Sequence, residues 1–330
     1  MPPLIIAIVI LALGFDFLNG IHDSSNIVAT MISSRAVSPR VALGMTAVAN
    51  FIGPFIFGVA VAETIGNQVV LSEEIKPVVI LSALISAILW NLLTWYLGFP
   101  SSSSHALIGG LIGAVVIGSV VHWKAILLPG LGKVLLALFV SPIIGLLFGY
   151  LILRLLFILS WKATPKVNIW FKRSQLLTAL TLALSHGTND AQKTMGIITL
   201  ALVTMGILPE FKVPLWVIIA CAGMIAFGTA IGGWRLIRTL GGKFFRIRPI
   251  DGLGAQLAST VVILGASLFG GPVSTTQVVS TSIMGAGAAE RPNKVRWGVA
   301  QEIAMAWLLT IPSTAMVAVG IYWVLSRFIH

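Results

Sequence analysis

The chain has 330 residues, 57% of them hydrophobic and only 9% charged, against roughly 25% charged in ordinary soluble domains. With a mean hydropathy of +1.01, this composition excludes a soluble helical core, which needs far more charge to keep its outside wet, and predicts a polytopic membrane protein. The net charge of +11 does not point to nucleic acid, because fifteen of the 21 basic residues lie in four loops or flanks, a positive-inside distribution that sets orientation and says little about substrate.

In chain order, the first span runs from about Leu4 to Ile32 and is read as retained, since no basic leader precedes it. Arg35 and Arg40 flank the turn into a second span, about Val41 to Ala62. The next loop holds Glu63, Glu73 and Glu74 against Lys76 and is placed outside. A third segment covers about Val78 to Leu97, and a short helix, about Ser102 to Val121, follows a Gly98-Phe99-Pro100-Ser101 break. The fifth segment runs from about Ile126 to Leu159. Arg154, Lys162, Lys166, Lys172 and Arg173 then mark a cytoplasmic linker.

Five further segments are expected at about Leu176 to Ile207, Pro214 to Trp234, Gly252 to Phe269, Ser274 to Ala289 and Trp297 to Leu325. The remaining basic flanks are Arg235, Arg238, Lys243, Arg246 and Arg248, and Arg291, Lys294 and Arg296. Placing every basic flank inside gives five crossings per half with both termini outside, and an odd count inverts the second half relative to the first. The fold class is therefore an all-α polytopic membrane protein built of two inverted repeats: residues 1–160, a basic linker at 161–173, and residues 174–330.

The repeat is also written in two motifs. Asn19-Gly20-Ile21-His22-Asp23-Ser24-Ser25-Asn26 returns as His186-Gly187-Thr188-Asn189-Asp190-Ala191-Gln192-Lys193, with Gly20 and Gly187, and Asp23 and Asp190, each 167 positions apart. Pro100-Ser101-Ser102-Ser103-Ser104-His105 is answered by Pro272-Val273-Ser274-Thr275-Thr276-Gln277. In each half the second motif separates the third segment from the fourth. Those segments are two full crossings or a hairpin entering and leaving on one side. The Gly-Pro break and polar tip favour the hairpin, because non-helical backbone at membrane depth is tolerated where it lines a protein-walled cavity. Tips meeting near the midplane are an arrangement of secondary transporters.

The chemistry follows from residue type. Ser102, Ser103 and Ser104, and Ser274, Thr275 and Thr276, open helices whose N-termini present free N–H groups and partial positive charge. Two such ends face to face make an oxyanion site; the plainer reading of each run is N-capping and close helix packing. Asp23 and Asp190, with Asn19, Asn26 and Asn189, supply hard oxygen ligands, and His22 a titratable imidazole. Carboxylates beside an anion repel it unless a cation or proton intervenes, which is the physical case for symport. The alternative is that each aspartate only bonds backbone at a helix break. Lys193 stands where the first copy has Asn26, so it either neutralises Asp190 or meets the anion, and it displaces a metal ion from that half. His105 and Gln277 are matched and expected to orient the hydroxyls. Asp16 and Glu302 are further intramembrane acids, and the single Cys221 is read as a buried apolar side chain.

These motifs, in this order over essentially the whole chain, resemble the PiT family of inorganic phosphate transporters, in its bacterial branch. The resemblance implies phosphate symport with Na⁺ or H⁺, a phosphate site at the two hairpin tips (Ser102 to Ser104 and Ser274 to Thr276), Na⁺ ligands among Asp23, Asn26 and Asp190, and a homodimer in the cell membrane. His22 and Lys193 depart from the family's commoner signature, where asparagine stands, and weaken the expectation of two complete Na⁺ sites. No cofactor is expected beyond the transported ions. A sulfate permease using the same site is the alternative substrate reading. An intramembrane hydrolase built on Ser104, His105 and Asp23 is disfavoured, because adjacent helix residues point about 100° apart and Gln277 stands where the second copy would need a base.

Overall fold

The computed structural model describes residues 3–99, 101–119, 122–234, 237, 245 and 247–329. Pro100 of the first tip and Arg235, Arg238, Lys243 and Arg246 of the basic flanks lie outside the described residues. The described chain is helical: α1 (Pro3–Ser33), α2 (Pro39–Phe57), the single turn α3 (Ala60–Glu63), α4 (Pro77–Leu97), α5 (Ser103–Gly118), α6 (Leu128–Leu159), α7 (Val167–Thr204), α8 (Leu215–Ile231), α9 (Pro249–Leu268), α10 (Thr275–Glu290) and α11 (Trp297–Leu325). Six of these, α1, α2, α4, α6, α9 and α11, are long and apolar enough to cross a bilayer.

Burial runs opposite to that of a soluble protein. Asp16, Asn19, Asp23, Asn26, His186, Asp190 and Lys193 are inside, while Ile10, Leu136, Ile143, Leu155 and Met316 face outward. Backbone groups are satisfied within helices, so an apolar outer surface suits hydrocarbon. Trp95, Trp123, Trp161, Trp170, Trp216, Trp297 and Trp323 are exposed near helix ends, as interfacial anchors are.

Several expected boundaries move, each for a local reason. The second span ends at Phe57, because Gly58 adopts φ +79° and restarts the chain as α3. The short helix occupies Ser103–Gly118, with the expected end at Val121 lying outside the described residues, and the fifth segment begins at Leu128, where Pro129 falls in its first turn. The basic linker is the larger correction. Helix α7 begins at Val167, nine residues before the expected start, so only 161–166 is a connection. Lys172 and Arg173 sit on a helix that continues past the apolar segment, since nothing from Val167 to Thr204 breaks it.

Helices α4 and α5 form an antiparallel hairpin: a Cβ on Gly110 would meet Ala83, and one on Gly118 would meet Val79. The reversal is made by Gly98 at φ +72° and closed by a 2.7 Å hydrogen bond between Thr94 Oγ1 and Ser101 Oγ. Helices α9 and α10 pack together in the same way around Gly270 at φ +69°.

Packing partners recur when the halves are exchanged. Helix α1 packs on α8 as α7 packs on α2; α5 packs on α11 as α10 packs on α6; α4 packs on α11 as α9 packs on α6. The two signature glycines make the first pair possible. A Cβ on Gly20 would stand 2.3 Å from Ile225 O, and one on Gly187 would stand 2.1 Å from Asn50 O. Pro142 within α6 and Pro312 within α11 are a further match that sequence reading overlooked.

The ends of the molecule differ in charge. Ser34 donates to Gln175 Oε1 at 2.8 Å, and Gln175 Nε2 donates to Pro249 O, so the end of α1 and the starts of α7 and α9 share one end. Arg248 pairs with Glu290, and Lys294 with Asp251 at 2.9 Å, bringing the end of α10 to the same place. Representatives of all four basic flanks collect there. At the opposite end, Leu4, Lys76, Tyr322 and Ser326 line one crevice, which brings the start of α1, the start of α4 and the end of α11 together.

Candidate functional site

Both signatures lie within unbroken helices, Asp23 inside α1 and Asp190 inside α7. Neither aspartate caps a helix break, so that alternative is removed. The spacing i, i+4, i+7 puts Asn19, Asp23 and Asn26 on one face of α1, and His186, Asp190 and Lys193 on one face of α7. The N-termini of α5 and α10 are set against these faces by the two hairpin turns.

The tips meet each other and the two aspartates. Thr276 Oγ1 donates to Asp23 Oδ1 at 2.9 Å, and Asn26 Nδ2 donates to the same oxygen at 2.8 Å and to Thr276 Oγ1 at 3.0 Å. Thr275 Oγ1 lies 2.9 Å from Asp190 Oδ2 and 3.3 Å from Asp23 Oδ2. A hydroxyl carries one hydrogen, so Thr275 can serve only one carboxylate at a time. Ser104 Oγ donates across the tips to Val273 O at 3.2 Å. Lys193 Nζ donates to Asp190 Oδ1, to Ser104 Oγ and to Val273 O.

Every one of these side chains is buried: Asp190 and Asn26 are 0% exposed, Asp23, Lys193 and Thr275 2%, and Thr276 4%. The site is closed to both ends in this state. His186 Nε2 stands 2.9 Å from Asp190 Oδ2 and 3.6 Å from Asp23 Oδ2. Asp23, His186 and Asp190 offer ligand atoms within 4.8 Å of one another, a spacing that could hold a metal ion. Asn19 Oδ1 and Asn26 Oδ1 are buried acceptors with no partner, which a cation beside Asp23 would satisfy.

The remaining expected residues divide by where they point. Ser102 and Ser274 are the caps of α5 and α10, accepting from the backbone N–H of His105 at 3.1 Å and of Gln277 at 3.4 Å. Ser103 is buried in the first turn of α5. Gln277 Nε2 lies 3.4 Å from both ring nitrogens of His105, and His105 Nδ1 bonds Ser102 Oγ at 2.7 Å, so the two residues touch each other and one of the capping hydroxyls.

Asn189, assigned to the cation, and His22, expected to supply a titratable imidazole, lie off the cluster. His22 donates from Nε2 to Asn91 O on α4 at 3.0 Å, and Asn189 donates to Ser267 Oγ at 2.8 Å and to Gly271 O at 3.3 Å. These residues are repeat counterparts, each turned about 100° from its aspartate toward the longer arm of its own half's hairpin. The imidazole beside the carboxylates is instead His186, which sequence reasoning missed. Its signal was available, because the 167-residue offset aligns His186 with Asn19, already assigned to the cation. Asp16 accepts from Thr194 within the helix core, and Glu302 faces outward from α11.

Residues 19–318 match the family described as "Phosphate transporter family". The chain is 45% identical over 327 residues to "Probable low-affinity inorganic phosphate transporter" of Bacillus subtilis (strain 168), covering 98% of this chain and 97% of that one. It is 43% identical over 326 residues to the protein of the same description from Rhizobium meliloti (strain 1021), covering 97% and 96%. A solved structure, "The sodium-dependent phosphate transporter", superposes with a TM-score of 0.86 over 98% of this chain and 99% of that one. At 24% identity, that likeness speaks for the fold alone.

Proposed function

The chain belongs to the phosphate transporter family, a family of transporters and not of enzymes, and from that premise we propose that it imports inorganic phosphate by symport with a cation, Na⁺ or H⁺, through alternating access. The observation that carries the reading is the use of hydroxyl hydrogens at the meeting tips. Thr275 and Thr276 donate to Asp23 and Asp190, yet they open a helix whose free N–H groups suit an anion. Anion and carboxylates compete for the same hydrogens. A cation or proton at Asp23 removes the competitor's charge and frees the hydroxyls to turn toward phosphate, which couples the two ligands without any long-range device.

Phosphate is favoured over sulfate because the cradle contains acceptors. Sulfate is fully ionised near neutral pH and needs only donors, whereas phosphate retains a proton that must be accepted. Asp23 or Asp190 supplies that acceptor. Ser103 and Ser104 on one tip and Thr275 and Thr276 on the other line the anion position, with Asp23, Asn26 and Asn19 holding the cation.

The inverted relation of the two halves is part of this proposal, supported by the exchange of packing partners between halves. So are a cytoplasmic basic end, external termini, residence in the cell membrane and a homodimer, whose mass in detergent would be twice that of one chain. The deciding experiment is uptake of labelled phosphate into proteoliposomes under imposed Na⁺ or H⁺ gradients, with excess sulfate as competitor. Uptake that follows one gradient and ignores sulfate supports the proposal and names the ion. Transport of labelled sulfate in place of phosphate overturns the substrate, and uptake indifferent to both gradients overturns symport.

A further inference from the structure

The two halves of the site are chemically unequal, and the inequality centres on Lys193. Its repeat counterpart Asn26 presents an amide whose oxygen is buried and unpartnered. Lys193 presents an ammonium, 2% exposed, that donates to the Asp190 carboxylate, to Ser104 Oγ on the first tip and to Val273 O on the second at 2.8 Å. An ammonium has three N–H donors and no acceptor, and each donor here has one oxygen. Those oxygens come from three different elements and include one carboxylate. That is the ligand set a hard monovalent cation takes, with nitrogen where the ion would be.

The Asp23 side is built otherwise. The hydrogen bonds to its carboxylate come from the Asn26 amide and the Thr275 and Thr276 hydroxyls, with the His186 Nε2, shared with Asp190, standing further off at 3.6 Å; no lysine or arginine is among them. Two further oxygens there, Asn19 Oδ1 and Asn26 Oδ1, are fully buried without partners. One carboxylate is thus neutralised by a group that cannot leave, and the other faces unsatisfied acceptors.

We propose that Lys193 is a tethered cation: it permanently fills one of two repeat-related cation positions, so that phosphate is coupled to a single mobile cation, held at Asp23. This rests on the symport reading above. A mobile ion contributes its gradient to every cycle, whereas a lysine that stays with the protein contributes nothing. One coupling ion gives about tenfold phosphate accumulation for a tenfold gradient, and two give about a hundredfold, with the membrane potential clamped at zero. The lysine trades driving force for a half-site that is always neutralised.

The test has two readouts. In purified protein, Lys193→Ala removes the ammonium and leaves the oxygen cage, so Na⁺ or methylammonium should raise its thermal midpoint by several degrees over choline, more than in the parent. Lys193→Asn, which restores the counterpart side chain, should raise the cation slope of phosphate binding from one to two. Folded variants indifferent to cation identity, with an unchanged slope, overturn the proposal. If neither variant folds, static-head accumulation by the unaltered protein decides: a slope of one ion per phosphate supports it and a slope of two overturns it. Absence of any cation-driven uptake by the unaltered protein counts instead against the symport reading, while cation rescue of Lys193→Ala stability is read without transport.

Discussion

Replacing Asp23 with asparagine isolates the coupling mechanism, because it removes a charge while keeping size and an acceptor oxygen. Thr276 Oγ1 is 2.9 Å and Thr275 Oγ1 3.3 Å from the Asp23 carboxylate. An anion oxygen accepting from the same hydroxyls lies about 2.7 Å beyond them, so the two negative charges would be about 5 Å apart. At an effective dielectric of about 20, their repulsion is about 3 kcal/mol, or a factor of about 200 in affinity. A cation at Asp23 cancels that term. In the unaltered protein, saturating cation should therefore tighten phosphate binding by on the order of a hundredfold.

In Asp23→Asn, phosphate should still bind, with cation dependence reduced to about threefold or less, the residue being long-range screening. Uphill accumulation should be lost while phosphate exchange down its own gradient persists. The assay is labelled-phosphate binding to purified protein across cation concentration, followed by counterflow in proteoliposomes. The variant should stay folded, since a neutral amide in place of the carboxylate strands no lysine or arginine. Asp190→Asn is the informative contrast: it strands the Lys193 ammonium, and breaking such a buried pair costs about 3–5 kcal/mol. Full cation dependence of phosphate binding in Asp23→Asn, or none in the unaltered protein, would refute the reasoning.

Three other outcomes are expected. Thr275→Ala removes the hydroxyl lying between the two carboxylates, and loss of one hydrogen bond to a charged group should raise the apparent KM for phosphate about tenfold or more; a fall in maximal rate alone would make the hydroxyl structural. His186→Gln should reduce uptake at least about tenfold, because it removes the imidazole beside both aspartates, while His22→Gln should lose about 1 kcal/mol of stability and keep most transport. The reverse result would remove His186 from the site. Gly187→Ala drives a Cβ to 2.1 Å from Asn50 O and should lower thermal stability in detergent by about 3 kcal/mol or more. Gly14→Ala, with nothing within 4 Å of the new methyl, should be neutral or gain up to about 1 kcal/mol from helix propensity.

Most of the scaffold was legible because a membrane protein writes its helices as apolar length. The last helix fell where hydropathy placed it, at Trp297–Leu325. Length fails where a helix leaves the bilayer. The early turns of α7 carry Lys172 and Arg173 and read as a loop, since water solvates a charged helix as readily as a charged coil. The break at Gly58 was missed for the opposite reason, because apolar residues on both sides let hydropathy run across a change in backbone direction.

The site was legible in type and partly illegible in direction. A repeat reveals which positions correspond, and Asp23, Asn26, Asp190 and Lys193 all lie against the two tips. It does not say which of two adjacent polar residues turns inward. His22 and Asp23 are neighbours in sequence but about 100° apart around α1, and only the partner on α4, Asn91, shows that His22 turns away. The same rotation carries Asn189 toward Ser267 and Gly271. Correspondence therefore predicts better than residue type. His186 follows from the position of Asn19, and the outward turn of Asn189 follows from that of His22. Where corresponding positions hold different chemistry, as Asn26 and Lys193 do, the repeat predicts the place of each side chain and the difference between them sets what the two halves can bind.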